Sequence, residues 1–146
     1  MRDMRVLLDT NILIDYISYR EPHARNARSV LSLCKEKKIF ACLAAQSIPD
    51  IFYILRNDFS VSELKVIILS LCHILHVVGI DSYKIFAALE NNSFDDFEDC
   101  LQAECAKDYH ANYIITRNGR DFAGSAIPAL EPGAFLMLME QGGKPL

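Results

Sequence analysis

Hydrophobic and polar positions alternate in blocks rather than residue by residue. Short apolar runs bounded by polar punctuation (RVLL at 5–8, Ile39–Leu43, His76–Gly79, YIIT at 113–116 and Ala126–Leu130) read as buried strands. Segments with apolar residues three and four apart lie between them. The first helix is expected over Asn11–Tyr16, and the second over Pro22–Lys37, where Ala24, Ala27, Val30, Leu31 and Cys34 share a face. A third runs from Ser47, a suitable N-cap with Pro49 just inside, to about Asn57. Ser60 or Ser62 opens a fourth to about Leu75, and Asp81 or Ser82 a fifth to about Glu90. Ser93 or Asp95 opens a sixth to about Tyr109, and Pro132 starts a last one through Met139. Residues 142–146 (GGKPL) read as a frayed tail.

The strand runs are apolar on both faces and alternate with helices. This predicts an α/β protein, a three-layer α/β/α sandwich around a central, mostly parallel sheet of four or five strands. No repeat, linker or low-complexity segment divides the chain, so 1–146 is expected to be a single domain.

Composition changes this picture little. A 51% hydrophobic and 23% charged chain can bury a full core, and no apolar stretch reaches membrane-span length. MRDMR at the N-terminus shows no signal-peptide pattern, so a cytoplasmic location is the expectation. Five cysteines without Cys-x-x-Cys spacing argue against a disulfide framework or a zinc site. The net charge of −4 argues mildly against sequence-independent nucleic-acid binding. Local basic groups exist nonetheless, among them Arg20, Arg25 and Arg28, Lys35, Lys37 and Lys38, and Arg117 and Arg120.

Candidate chemistry lies where carboxylates fall. In open parallel sheets, ligands bind beyond the carboxyl ends of the strands. Asp9 stands there after the first strand, and Thr116 after the fourth, followed by Arg117, Asn118 and Asp121. Asp95, Asp96, Glu98 and Asp99 crowd the first turns of one helix, where acids also suit the helix dipole. Asp96 and Asp99, three apart, are expected on one face, with Cys100 and Ala103 next on that side letting the helix approach the sheet. Asp50 adds an acid from the helix after strand two. Each acid alone could be a cap or a solvated charge. Together they form an oxygen-rich set, with no His or Cys spacing, suited to Mg²⁺ or Mn²⁺ rather than Zn²⁺.

With these residues in view, "VLLDTNILIDYI", "DCLQAECAKDYHANYIITRNGRDF" and "ALEPGAFL" resemble the PIN-domain nucleases, over essentially the whole chain. The resemblance implies Mg²⁺- or Mn²⁺-dependent cleavage of phosphodiester bonds, usually in RNA. Many bacterial members are toxins of type II toxin–antitoxin pairs (the VapC-like group), so an antitoxin is an implied partner and a homodimer the implied assembly. Asp9 matches the family's first acid, Thr10 and Asn11 its polar neighbours, and Asp99 the third acid. Thr116 matches the hydroxyl ending the fourth strand, and Asp121 an acid of the loop beyond. Two positions depart. Asp50 stands where the family usually has Glu, and Asn118 where it often has Asp.

The expected metal ligands are Asp9 and Asp99, with Asp96 or Asp50 in support and Asp121 near a second, weaker position. Thr10, Asn11, Thr116 and Asn118 support the site, and Arg117 and Arg120 are expected to meet substrate phosphates. A rival reading is a PIN fold with a weakened metal site, acting as an RNA-binding or protein-interaction module. Aspartyl phosphoryl transfer fits less well. The haloacid-dehalogenase pattern needs an Asp where Asn11 stands, and receiver domains need a Lys after a later strand that the chain does not offer.

Overall fold

A computed structural model describes residues 3–142. In chain order the elements are β1 (Arg5–Leu8), α1 (Thr10–Ser18), α2 (Ala24–Lys35), β2 (Phe40–Ala44), α3 (Ser47–Ile54), α4 (Val61–Cys72) and β3 (His76–Val78). There follow α5 (Ser82–Glu90), α6 (Phe97–Asp108), β4 (Tyr113–Ile115), a 3₁₀ turn (Gly119–Phe122), β5 (Ala129–Leu130) and α7 (Pro132–Glu140). Of the expected tail, 143–146 lie outside the described residues.

The sheet has five strands in the order β3-β2-β1-β4-β5, and every pairing is parallel. Helices cover both faces, giving the α/β/α sandwich. Side chains alternate across the sheet, as the strand period requires. Val6, Leu8, Ala41, Leu43, Tyr113 and Ile115 join the core shared with α1, α2, α3, α4 and α7. Leu7, Cys42 and Ile114 face the other way, against Ala103, Cys105 and Ala106 of α6. Val6, Leu7 and Leu8 are all fully buried, each contributing roughly 1.5–3 kcal/mol. That anchors β1 in register and fixes where its carboxyl end emerges.

Several boundaries shift for physical reasons. Ser60 closes a capping box with Glu63, so the fourth helix begins there rather than at Ser62. Asp81 caps α5 by accepting from Lys84 N. Ser47 does not cap α3. Gln46 holds the N-cap position without a side-chain bond, and the buried Ser47 hydroxyl meets Thr10 Oγ1 at 2.7 Å instead. Asp96, not Ser93 or Asp95, caps α6. Asp96 therefore lies outside the helix and does not share a helical face with Asp99. Cys100 turns toward Ala88 of α5 rather than the sheet, leaving Ala103 and Ala106 to make the close approach.

The strand order creates a switch point. From β1 the chain builds outward to β2 and β3 on one side, then returns to add β4 and β5 on the other. The β1–β4 register pairs Leu8 with Ile115. The next residues, Asp9 and Thr116, meet at the carboxyl edge where open α/β sheets bind ligands.

Candidate functional site

Asp9 is the hub of this edge. Its backbone is held by Asp9 N donating to Ile115 O at 3.0 Å, and its extended φ/ψ makes it the N-cap of α1. Four donors converge on the carboxylate. Oδ1 accepts from Thr10 N at 2.7 Å and Gln102 Nε2 at 3.0 Å. Oδ2 accepts from Thr116 Oγ1 at 2.7 Å and Asn11 Nδ2 at 3.1 Å. A carboxylate offers about four acceptor positions, so all are in use. Burial pushes the Asp9 carboxyl up from its ordinary value, against the bonds from Thr116, Thr10 and Asn11, with the Asp121 charge adding to the rise.

Beside Asp9 opens a cleft of about 270 Å³. Its acids are Asp9, Asp50, Glu98 and Asp99, joined by the amides of Asn11, Gln102 and Asn118 and one cation, Arg20. The segments come from five parts of the chain: the β1–α1 junction, the turn after α1, α3, α6 and the loop after β4. Gln46 Nε2 donates to Glu98 O at 3.0 Å and fastens the start of α3 to the first turn of α6.

Crowded acids resist ionisation. Asp99 is pushed up to about 7, first by burial and then by the charges of Asp96, Asp9, Asp121 and Glu98. Glu98 is raised by Asp50, by burial and by Asp96, and Asp50 by burial alone.

The remaining expected residues fall into distinct places. Asp96 spends its Oδ1 on Asp99 N at 2.9 Å as the α6 cap and stands outside the cleft lining. Asp121 sits in the 3₁₀ turn and reaches Asp9 and Asp99 through its charge. Thr116 is fully buried, donating to Asp9 and accepting from Asn118 N at 3.0 Å. Arg117 turns away from the cleft into a bidentate pair with Asp15, Nε–Oδ2 2.7 Å and Nη2–Oδ1 3.3 Å. Asp15 is fully buried on α1, so this pair fastens α1 to the end of β4. Arg120 is exposed on the 3₁₀ turn.

Three polar cleft residues lay outside the expected set, Gln102, Glu98 and Arg20, and Ser47 supports the cleft from behind through its bond to Thr10. Gln102 had a signal, since it stands three residues after Asp99 and must share its face. Arg20, just past α1, had none in the local pattern.

The donor set contains oxygen and amide groups without His or Cys, which suits a hard divalent cation. Among the described residues no three His, Cys, Asp or Glu side chains close into a ready-made cage. Mg²⁺ is commonly held by one or two carboxylates while keeping several waters. The residues fit it on those terms, through Asp9 and Asp99.

The PIN-domain family model matches residues 5–120, from β1 into the 3₁₀ turn. The chain belongs to the PIN-domain family. Solved PIN-like neighbours share the fold. A chain of a toxin–antitoxin complex from Klebsiella pneumoniae superposes with TM-score 0.63 at 20% identity, covering 87% of this chain and 97% of that one. VapBC2 from Rickettsia felis, bound to a DNA fragment from its promoter, gives 0.63 at 17% identity, with coverage of 88% and 98%. FitAcB from Neisseria gonorrhoeae gives 0.62 at 15%, with 88% and 98%. No curated protein sequence matches this PIN-domain chain.

Proposed function

We propose that this PIN domain is a metal-dependent endoribonuclease that hydrolyses phosphodiester bonds in RNA, and that it is the toxin of a type II toxin–antitoxin pair in the cytoplasm. The observation that carries the reading is the acidic cleft at the β1–β4 switch point, lined without His or Cys and with Asp9 and Asp99 on its wall. Asp9 and Asp99 would hold a Mg²⁺ or Mn²⁺ ion, with Asp50 in support and Asp121 contributing charge. When bound, such an ion polarises a phosphoryl oxygen and lowers the pKa of water for attack.

The chain's own residues do the rest. Thr116, Thr10 and Asn11 hold the Asp9 carboxylate in one orientation. Asn118 presents an amide, not a charge, at the cleft. Asp96 fixes the first turn of α6 and thereby Asp99. Arg20, at the cleft, and Arg120, on the neighbouring turn, are the cations placed for flanking phosphates, because Arg117 is committed to Asp15.

The neighbours' toxin–antitoxin setting supports an antitoxin partner, and a homodimer remains the proposed assembly. No helix among the described residues is long and apolar enough to cross a membrane.

The test is cleavage of single-stranded RNA by purified protein with Mg²⁺ or Mn²⁺. Wild type is expected to cut, and Asp9→Asn and Asp99→Asn to be inactive. Equal cleavage by all three would identify a contaminating nuclease and defeat the proposal. A second reading, an inactive RNA- or protein-binding module, is favoured by one observation: protein donors fill every acceptor position of Asp9. A Mn²⁺ titration followed by thermal unfolding separates the two, since a cation that binds the folded chain raises its Tm.

A further inference from the structure

Gln102 presents an unresolved half. It is 3% exposed, and its Nε2 donates to Asp9 Oδ1 at 3.0 Å and Thr10 Oγ1 at 3.2 Å, with Ser47 Oγ at 3.5 Å. Its Oε1 is buried without any hydrogen-bond partner. A buried acceptor left without a donor is costly, so such an atom calls for a role. The present orientation is dictated by charge. With Oε1 toward Asp9, two acceptors would face each other.

The amide hydrogens thus fill Asp9 Oδ1, an oxygen that a cation in the cleft would also need. The neighbouring groups suit either face of the amide. Thr10 Oγ1 and Ser47 Oγ bond to each other at 2.7 Å, and either can be the donor. A hydroxyl accepts from Nε2 now and can rotate to donate to Oε1 if the amide turns over.

Resting on the metal-dependent reading above, we propose that Gln102 is an amide switch and cation ligand of the cleft: its NH₂ satisfies Asp9 while no cation is bound, and its carbonyl oxygen faces the cation beside Asp9 when one is. No covalent step is involved. The amide turns about its terminal torsion, which is broad and roughly two-fold. The arrangement supplies an oxygen ligand without adding a further negative charge to a cleft that already crowds four acids.

The experiment measures Mn²⁺ affinity by electron paramagnetic resonance on wild type, Gln102→Met and Gln102→Glu, and follows the Gln102 side-chain NH₂ signals by NMR during Mg²⁺ titration of the wild-type chain. Met fills the volume but offers neither amide face. It is expected to weaken Mn²⁺ binding about tenfold, whereas Glu, which keeps the oxygen, is expected to bind at least as tightly as wild type. The Gln102 NH₂ signals are expected to move as Mg²⁺ saturates. If Gln102 merely blocked the position, Met would bind as tightly as wild type or tighter, and that result overturns the switch. So do unmoved NH₂ signals at saturating Mg²⁺, which need no variant to fold. If the wild-type chain binds neither ion, both the switch and the metal-dependent reading fail. Tight wild-type binding that Met leaves intact removes the switch alone.

Discussion

Thr116 Oγ1 donates to Asp9 Oδ2 at 2.7 Å, across the junction of two strands whose sequence positions are 107 residues apart. The same hydroxyl accepts from Asn118 N at 3.0 Å. One buried oxygen therefore fixes both the hub acid and the loop that brings Asn118 to the cleft.

Thr116→Val keeps the shape and removes both bonds. The Asp9 carboxylate and the Asn118 amide each lose a partner, a loss of about 1–3 kcal/mol for a buried group. Urea unfolding should show that drop, and Thr116→Ser should recover most of it. Without this donor Asp9 also becomes harder to ionise, so divalent-cation affinity should fall in Val and return in Ser.

Asp99 gives the stability a distinct pH dependence. Its carboxyl titrates at about 7 in the folded chain, against about 4 when unfolded. Between those values the folded chain retains a proton that the unfolded chain has released. This contribution is fully present below about pH 4 and is lost as pH rises toward 7. In chelator, the Tm is expected to fall from pH 5 to pH 7.5, by less in Asp99→Asn. Added Mg²⁺ or Mn²⁺ favours the ionised acid and should oppose the fall.

The two arginines near the cleft should separate cleanly. Arg117→Met leaves the buried Asp15 carboxylate unpaired and should cost about 2–4 kcal/mol, at the lower side of buried pairs because Arg117 keeps some access to water. Asp15→Asn in the same chain should recover part of it. Arg20→Ala removes an exposed side chain, and stability should hold within about 0.5 kcal/mol. Under the nuclease reading, Arg20→Ala raises KM for RNA. Unfolding curves and steady-state cleavage read the two effects independently.

Gly124 packs against the loop that enters α6. A Cβ there would fall inside contact distance of the Ser93 carbonyl oxygen and 2.8 Å from Ser93 Cβ. Gly124→Ala must displace backbone, at a cost of about 1–3 kcal/mol. Because the Ser93 segment leads into the Asp96 cap, Mn²⁺ affinity should fall along with stability. Unchanged affinity would show that the loop moves without carrying Asp99 with it.

What the sequence made legible follows from its strongest local signals. Apolar runs cut off by polar residues located the ends of β1 and β4, hence Asp9 and Thr116. Acids in two helices located Asp50 and Asp99. The order of strands and helices sufficed for a parallel sheet, whose five strands and switch point then brought these residues to one edge. Asp96 was harder. A cap and a first-turn residue differ by one position, and the bond from Asp99 N to Asp96 Oδ1 in the folded chain marks which is which. Arg117 was unreadable in another way. As a basic residue beside a site it suggests a phosphate contact, and only the tertiary fold reveals Asp15 waiting below it. Gln102 shares the Asp99 face by spacing, but only the tertiary fold reveals that its carbonyl lacks a donor.

The pairing of β1 with β4 also bears on how the chain comes into being at the ribosome. Asp9 is translated 93 residues before Gln102 and 107 before Thr116. A prematurely terminated product ending before β4 carries the hub acid without Thr116, the hydroxyl that β4 delivers to it. Whatever chemistry the cleft performs therefore waits until β4 has been made and has paired with β1.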